Sequence, residues 1–142
     1  MSLIRAVTEL DADLIARHRY PDEVAGRHVY AAWVAGAMRR GSYLGWLAQE
    51  AGQVVAGAGL VLLDWGPTRG EPNPLRARLV NVYTEPAYRR RGLARQLVQT
   101  ALNEAARLRI GTVTLGASAQ ASALYLALGF QVRETEMALK VR

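Results

Sequence analysis

The chain has 142 residues, no cysteine and a formal net charge of +6. That length suits one domain over residues 1–142, large enough to bury about 68–70% of its unfolded surface. The absence of cysteine excludes disulfides, thiolate nucleophiles and cysteine-ligated zinc, and no residues show metal-ligand spacing, so no metal is expected. No apolar run approaches the roughly 18 residues of a membrane span, and the opening MSLIRAVTELDADL turns acidic too early for a signal peptide. A soluble, cytoplasmic protein is expected.

Ile4, Ala6 and Thr8 open a short first strand, and residues 11–19 read as a helix with Leu14 and Ile15 on one face. Tyr20-Pro21-Asp22-Glu23 reads as a break and a new helix start, with proline and two acids in the first turn. That helix runs to about Arg40 and is expected to bury Val24, Val29, Trp33, Val34 and Met38. Two β-rich runs, Tyr43–Gln49 and Gln53–Trp65, flank Glu50-Ala51-Gly52 and predict a hairpin. Residues 66–76, with three prolines and two glycines, predict a shaped loop. Arg78–Thr84 predicts a strand that Glu85-Pro86 ends.

The clearest helix follows, with Leu93, Leu97, Val98, Ala101, Leu102, Ala105 and Leu108 on one stripe of period 3.6. After Gly111 come a strand over Thr112–Gly116 and a short helix from about Ala119 to Leu128, closed by Gly129. Phe130–Arg133 and Glu136–Val141 predict a final hairpin. The order β-α-α-β-β-β-α-β-α-β-β is that of a mixed α/β chain around a central sheet.

All the basic residues except Lys140 are arginine, the better fork for phosphate and carboxylate. The positive charge points to an anionic partner: a nucleic acid, a membrane surface or a phosphate-bearing cofactor. The chemistry concentrates in Leu79–Ala94, LVNVYTEPAYRRRGLA. A strand ends at proline, and a turn with three arginines and a glycine leads straight into the long helix. A helix start leaves about four N–H groups without partners, and with the dipole these favour a phosphate. Arg89, Arg90 and Arg91 add charge there, and Gly92 and Ala94 allow close approach to the backbone. Read alone, an arginine run on a loop is as often a solvated face. The strand, the proline turn and the helix around it favour a pyrophosphate cradle.

Arg89-Arg90-Arg91-Gly92-Leu93-Ala94 resembles the Q/R-x-x-G-x-G/A signature of the GCN5-related N-acetyltransferase (GNAT) superfamily, which transfers an acyl group from acyl-coenzyme A to an amine. A second stretch, Ser118–Phe130, is similar to the family's A-x-x-L-Y-x-x-x-G-F segment, through Ala121, Leu124, Tyr125, Gly129 and Phe130. The resemblance is strong from about residue 76 onward and looser before it. It implies a mixed α+β fold whose mostly antiparallel sheet splays after the fourth strand, with helices on both faces. It implies acetyl-CoA as co-substrate in the splay, with backbone groups of Val82, Tyr83 and Thr84 on the pantetheine arm. Those backbone donors would also stabilise the oxyanion of the tetrahedral intermediate. It places the pyrophosphate at Arg89, Arg90, Arg91, Gly92, Leu93, Ala94 and Arg95, and Tyr125 beside the sulfur, protonating the leaving thiolate. Tyr125 otherwise reads as a packing residue with its hydroxyl at the rim.

Ser118 stands where many relatives carry an asparagine that contacts coenzyme A. The strand Arg76–Thr84 contains no carboxylate to serve as general base. Glu85, Asp64, His28 or a water chain through Asn81 or Tyr83 remain open, while His18 and His28 read as surface or rim residues. The acceptor is an amine on a small molecule or peptide, and a homodimer is an option because relatives are often dimers. The missing carboxylate also admits a non-catalytic coenzyme A sensor of the same fold. A basic nucleic-acid-binding protein is the remote rival, as the charge is dispersed and no reading motif occurs.

Overall fold

The computed structural model describes residues 2–142. β1 (Leu3–Ala6) leads through a 3-10 turn into α1 (Ala12–Arg19) and α2 (Arg27–Arg39). β2 (Tyr43–Glu50), β3 (Gln53–Asp64) and β4 (Leu75–Thr84) form an antiparallel meander. α3 (Leu93–Arg107), β5 (Val113–Thr114) and α4 (Ser122–Ala127) follow. The sheet order is β1-β2-β3-β4-β5, antiparallel except for the parallel pair β4–β5. No helix among the described residues is long and apolar enough to cross a membrane.

The sheet is covered on both faces. Ala12, Ile15 and Ala16 of α1 and Ala31, Val34 and Ala37 of α2 bury against Tyr43, Val61 and Val80. On the other face the period of α3 delivers Leu93, Leu97, Val98, Ala101 and Ala105 to the sheet, while Leu102 and Leu108 are half-buried. Each fully buried leucine or valine among them contributes about 1.5–3 kcal/mol, and each alanine less. The β2–β3 connection is two residues, Ala51 and Gly52, both at positive φ (52° and 80°). That geometry follows the right-handed twist of the flanking strands.

Three expectations need correction. α2 starts at Arg27, not near Pro21. The Arg27 guanidinium donates to the carbonyls of Tyr20 and Pro21, which holds residues 20–26 as a loop rather than a first turn. With that start, Val24 and Val29 lie exposed, Trp33 is 41% exposed, and the buried face passes to Ala31, Val34 and Ala37. Second, β5 spans only two residues and α4 only six. Third, the final hairpin does not form. Residues 131–142 hold no strand, and Val132, Met137, Leu139 and Val141 are exposed. A hairpin is marginal by itself, and β5 offers too short an edge to recruit one.

Candidate active site

β4 is the hinge of the site. Gly57 pairs with Tyr83 and Gly59 with Val80, so Asn81 and Val82 together stand opposite Ala58. This is a β-bulge, with Asn81 in the left-handed region at φ 56°. The extra residue shifts the alternation of side chains. Ala77, Leu79 and Val82 pack toward α3, while Val80, Asn81 and Tyr83 face α1 and α2.

On the α1 side Asn81 is fully engaged. Its Nδ2 donates to the hydroxyls of Tyr30 (2.9 Å) and Tyr43 (3.0 Å), and its Oδ1 accepts from Arg19 Nη1 (3.1 Å). Burial pushes the Tyr43 phenol well above its usual range, so it stays a neutral hydrogen-bonding group. A Cβ on Gly59 would collide with the Tyr43 hydroxyl, which is why glycine sits in mid-strand here. Two residues on, Tyr83 stacks on His18 with ring centroids 4.7 Å apart. The Tyr83 hydroxyl donates to Glu85 Oε2 at 3.4 Å, and Glu85 Oε1 accepts from Arg17 Nη2 at 3.1 Å. Burial, and then the Glu85 carboxylate, raise the Tyr83 phenol pKa.

His18 is 5% exposed, against the expectation of a surface residue, and its Nε2 is buried without a partner. Desolvation lowers its pKa to about 4, with Arg17 adding to the shift and Glu85 opposing it. It is therefore neutral at pH 7. Of the candidates for a base, His28 is exposed on α2, and Asp64 pairs with Leu75 at the end of β4 remote from Tyr83. Glu85 is the carboxylate that meets the site.

On the opposite edge, β4 pairs with β5 only at Ala77 and Arg78. Leu79–Thr84 run on with that edge free of strand pairing, so the sheet splays as expected. The chain then turns through a 3-10 segment at Pro86–Tyr88 and enters α3 at Leu93. Gly92, at φ 79°, is the N-cap; no side chain caps the helix and its first turn has no acid. Nothing lies within 4 Å of where a Gly92 Cβ would sit. The arginines diverge. Arg89 Nε donates to the Thr84 carbonyl at 3.2 Å, Arg91 stacks over Tyr88 and lies 3.8 Å from Glu50, and Arg90 is exposed at φ 65°. Leu93 buries its side chain beneath the sheet, Ala94 is half-buried and Arg95 is exposed.

Tyr125 of α4 is 8% exposed and meets Phe130 edge to face at 5.8 Å. Burial raises its pKa. Ser118 is exposed, and its Oγ accepts from the Ala121 N–H at 3.3 Å, so it shapes the turn into α4.

The arrangement is a strand edge open beside an uncapped, basic helix start. The profile of the acetyltransferase (GNAT) family matches residues 7–130. The chain belongs to the GNAT acetyltransferase family. No curated protein matches it, but solved acetyltransferase structures do. A predicted acetyltransferase with acetyl-CoA from Clostridium acetobutylicum is 23% identical, with a TM-score of 0.92 over 99% of this chain and 97% of that one. A GCN5-related N-acetyltransferase from Ralstonia eutropha is 28% identical, with a TM-score of 0.89 over 99% of each chain. The glucosamine-6-phosphate N-acetyltransferase of Arabidopsis thaliana is 12% identical, with a TM-score of 0.78 over 100% of this chain and 99% of that one. The GNAT profile thus takes in both the bulge in β4 and the uncapped start of α3. His18, Arg19, Tyr30 and Tyr43 are the site residues that sequence reasoning missed. They come from α1, α2 and β2 and converge on Asn81 and Tyr83 of β4, so no local spacing announces them.

Proposed function

We propose that this GNAT domain transfers an acetyl group from acetyl-CoA to an amine by direct attack within a ternary complex. The observation that carries the reading is the free edge of β4 at Leu79–Thr84 leading into the uncapped start of α3. A strand edge offers paired N–H and C=O groups to an extended, amide-bearing chain such as pantetheine. A helix start with no acid in its first turn offers N–H groups and positive potential to a pyrophosphate.

In this reading Val82, Tyr83 and Thr84 hold the pantetheine through their backbones, and one of their N–H groups receives the developing oxyanion. Arg89, Arg90, Arg91 and Arg95 surround the pyrophosphate, and Gly92, Leu93 and Ala94 present backbone N–H groups to it. Ser118 supports the approach indirectly, by fixing the turn before α4. The amine nitrogen attacks the thioester carbonyl, the C–S bond breaks, Tyr125 gives its proton to the departing thiolate, and the second proton, shed by the now cationic nitrogen, passes through solvent to restore the Tyr125 phenol. A raised phenol pKa keeps Tyr125 protonated and able to donate at neutral pH. Glu85, through Tyr83, takes the proton that the ammonium must lose before attack; the 3.4 Å contact is long and would tighten with substrate bound.

The test is release of free thiol from acetyl-CoA in the presence of a panel of amines. Amine-dependent release supports the reading. Saturable acetyl-CoA binding with no release for any amine overturns it in favour of a coenzyme A sensor.

A further inference from the structure

Arg19 is the arginine held at the bulge of β4. Arg5, Arg17, Arg39, Arg91 and Arg107 each have a carboxylate within 4.0 Å. Arg19 has none among the described residues, yet it is fixed more firmly than a solvated side chain. Its guanidinium lies 4.7 Å from the Tyr30 ring centroid and 5.8 Å from that of Tyr20. Its Nη1 donates to Asn81 Oδ1 at 3.1 Å and its Nε reaches the Tyr20 hydroxyl at 3.4 Å. A guanidinium has five N–H groups, so three remain, including both on Nη2. The side chain is exposed as a whole, with the two rings on its guanidinium.

The anchor of this arginine is the bulge itself. Asn81 holds Arg19 with one end of its amide and Tyr30 and Tyr43 with the other. It adopts a left-handed conformation that asparagine tolerates better than most residues. A wall of rings continues from the fork: Tyr20 to Tyr30 at 6.1 Å, Tyr30 to Trp33 at 5.5 Å and Trp33 to Tyr43 at 6.5 Å. Nearby Arg17 is paired with the Glu85 carboxylate and Arg27 is held back against the Tyr20 and Pro21 carbonyls, so of the three it is Arg19 that is held at the bulge without a carboxylate. A single planar fork matches a carboxylate in bidentate fashion.

We propose that Arg19 binds a carboxylate carried by the acceptor, so that the acceptor class is an amine that also bears a carboxylate, with an apolar or aromatic body against Tyr30 and Trp33. The inference rests on the acetyl-transfer reading above and adds the acceptor's chemistry to it. The acceptor lies on the α1 side of β4, with its carboxylate at the bulge and its amine toward Tyr83 and the end of the strand. Arg19 is then a specificity residue and not a participant in bond making.

The experiment compares three amines that share one body: L-phenylalanine, L-phenylalaninamide and phenethylamine. O-phosphoethanolamine against ethanolamine forms a phosphate arm. Thiol release gives kcat/KM for the wild type, Arg19→Met and Arg19→Lys, and calorimetry gives acetyl-CoA affinity for each. The expected result is kcat/KM for phenylalanine about 10- to 100-fold above the two uncharged-end analogues, the range of a charge-assisted contact. Arg19→Met removes that preference through KM, Arg19→Lys restores part of it, and acetyl-CoA affinity is the same in all three. Equal rates for the three amines, preference for the phosphate arm, a preference that survives Arg19→Met, or silence toward phenylalanine overturns the proposal. If other amines are acetylated meanwhile, the acetyl-transfer reading stands. If acetyl-CoA does not bind the wild type, both fall.

Discussion

The two sides of β4 are built by opposite means. Toward β5 and α3 the site is mostly backbone: an open strand edge and an uncapped helix start, all within residues 79–95. Toward α1 and α2 it is mostly side chains, and they come from four separate elements: His18 and Arg19 on α1, Tyr30 and Trp33 on α2, Tyr43 on β2, and Asn81 and Tyr83 on β4. A bulge at Asn81–Val82 divides them. Backbone groups suit a ligand whose shape does not vary, because they cannot be exchanged by mutation. Side chains on a rigid sheet suit the partner that sets specificity. The difference implies that substitutions on one side should leave the other working.

The sharpest break in that comparison is at Tyr125. Tyr125→Phe should lower kcat by about 10²- to 10⁴-fold, the usual span of a lost general acid, while acetyl-CoA affinity holds. Equal losses in affinity and turnover would make Tyr125 a packing residue instead.

The next effect is on stability. Unfolded, His18 takes up a proton near its ordinary pKa of 6.5; folded, it does so only at about 4. The unfolded state therefore binds more protons between these values, and stability falls as pH drops from 6.5 to 4. The full loss is about 3 kcal/mol. Urea unfolding at stepped pH should show this slope, and His18→Phe, which keeps a ring against Tyr83, should flatten it.

Gly59→Ala sharpens the comparison from the α1 side. The new methyl displaces the Tyr43 hydroxyl and with it Asn81. Overpacking of this kind costs about 1–3 kcal/mol. Acceptor KM should rise while acetyl-CoA affinity does not change. The smallest expected effect is its counterpart, Gly92→Ala. There the space is open and the penalty is conformational, since alanine at φ 79° costs about 1–2 kcal/mol. The free loop relieves that strain by moving out of the cradle, and restoring it on binding should weaken acetyl-CoA affinity by up to roughly 5- to 30-fold, with acceptor KM unchanged.

The same division explains what the sequence makes legible. RRRG before a seven-member apolar stripe states a helix start, its charge and its buried face in contiguous residues. The Tyr43–Gln49 and Gln53–Trp65 runs state a hairpin in the same local way. The bulge is not stated anywhere, because it depends on how β4 registers against Gly57 and Gly59. Nor is the burial of His18, whose place is set by Tyr83 and by the missing side chain at Gly57. Arg27 hides the true start of α2 by bonding backward to Tyr20 and Pro21. The alternation in Glu136–Val141 is that of a strand, yet alternation supplies no partner edge, and β5 is too short to provide one. Sequence pattern reports what a segment prefers; contacts across the sheet decide what it receives.

The central claim is that the open edge of β4 and the start of α3 together hold acetyl-CoA. The most direct test is a calorimetric titration of the wild-type protein with acetyl-CoA at moderate salt. The account predicts saturable binding at one site per chain. No heat up to millimolar ligand would contradict it and leave the Arg89–Ala94 loop a structural turn.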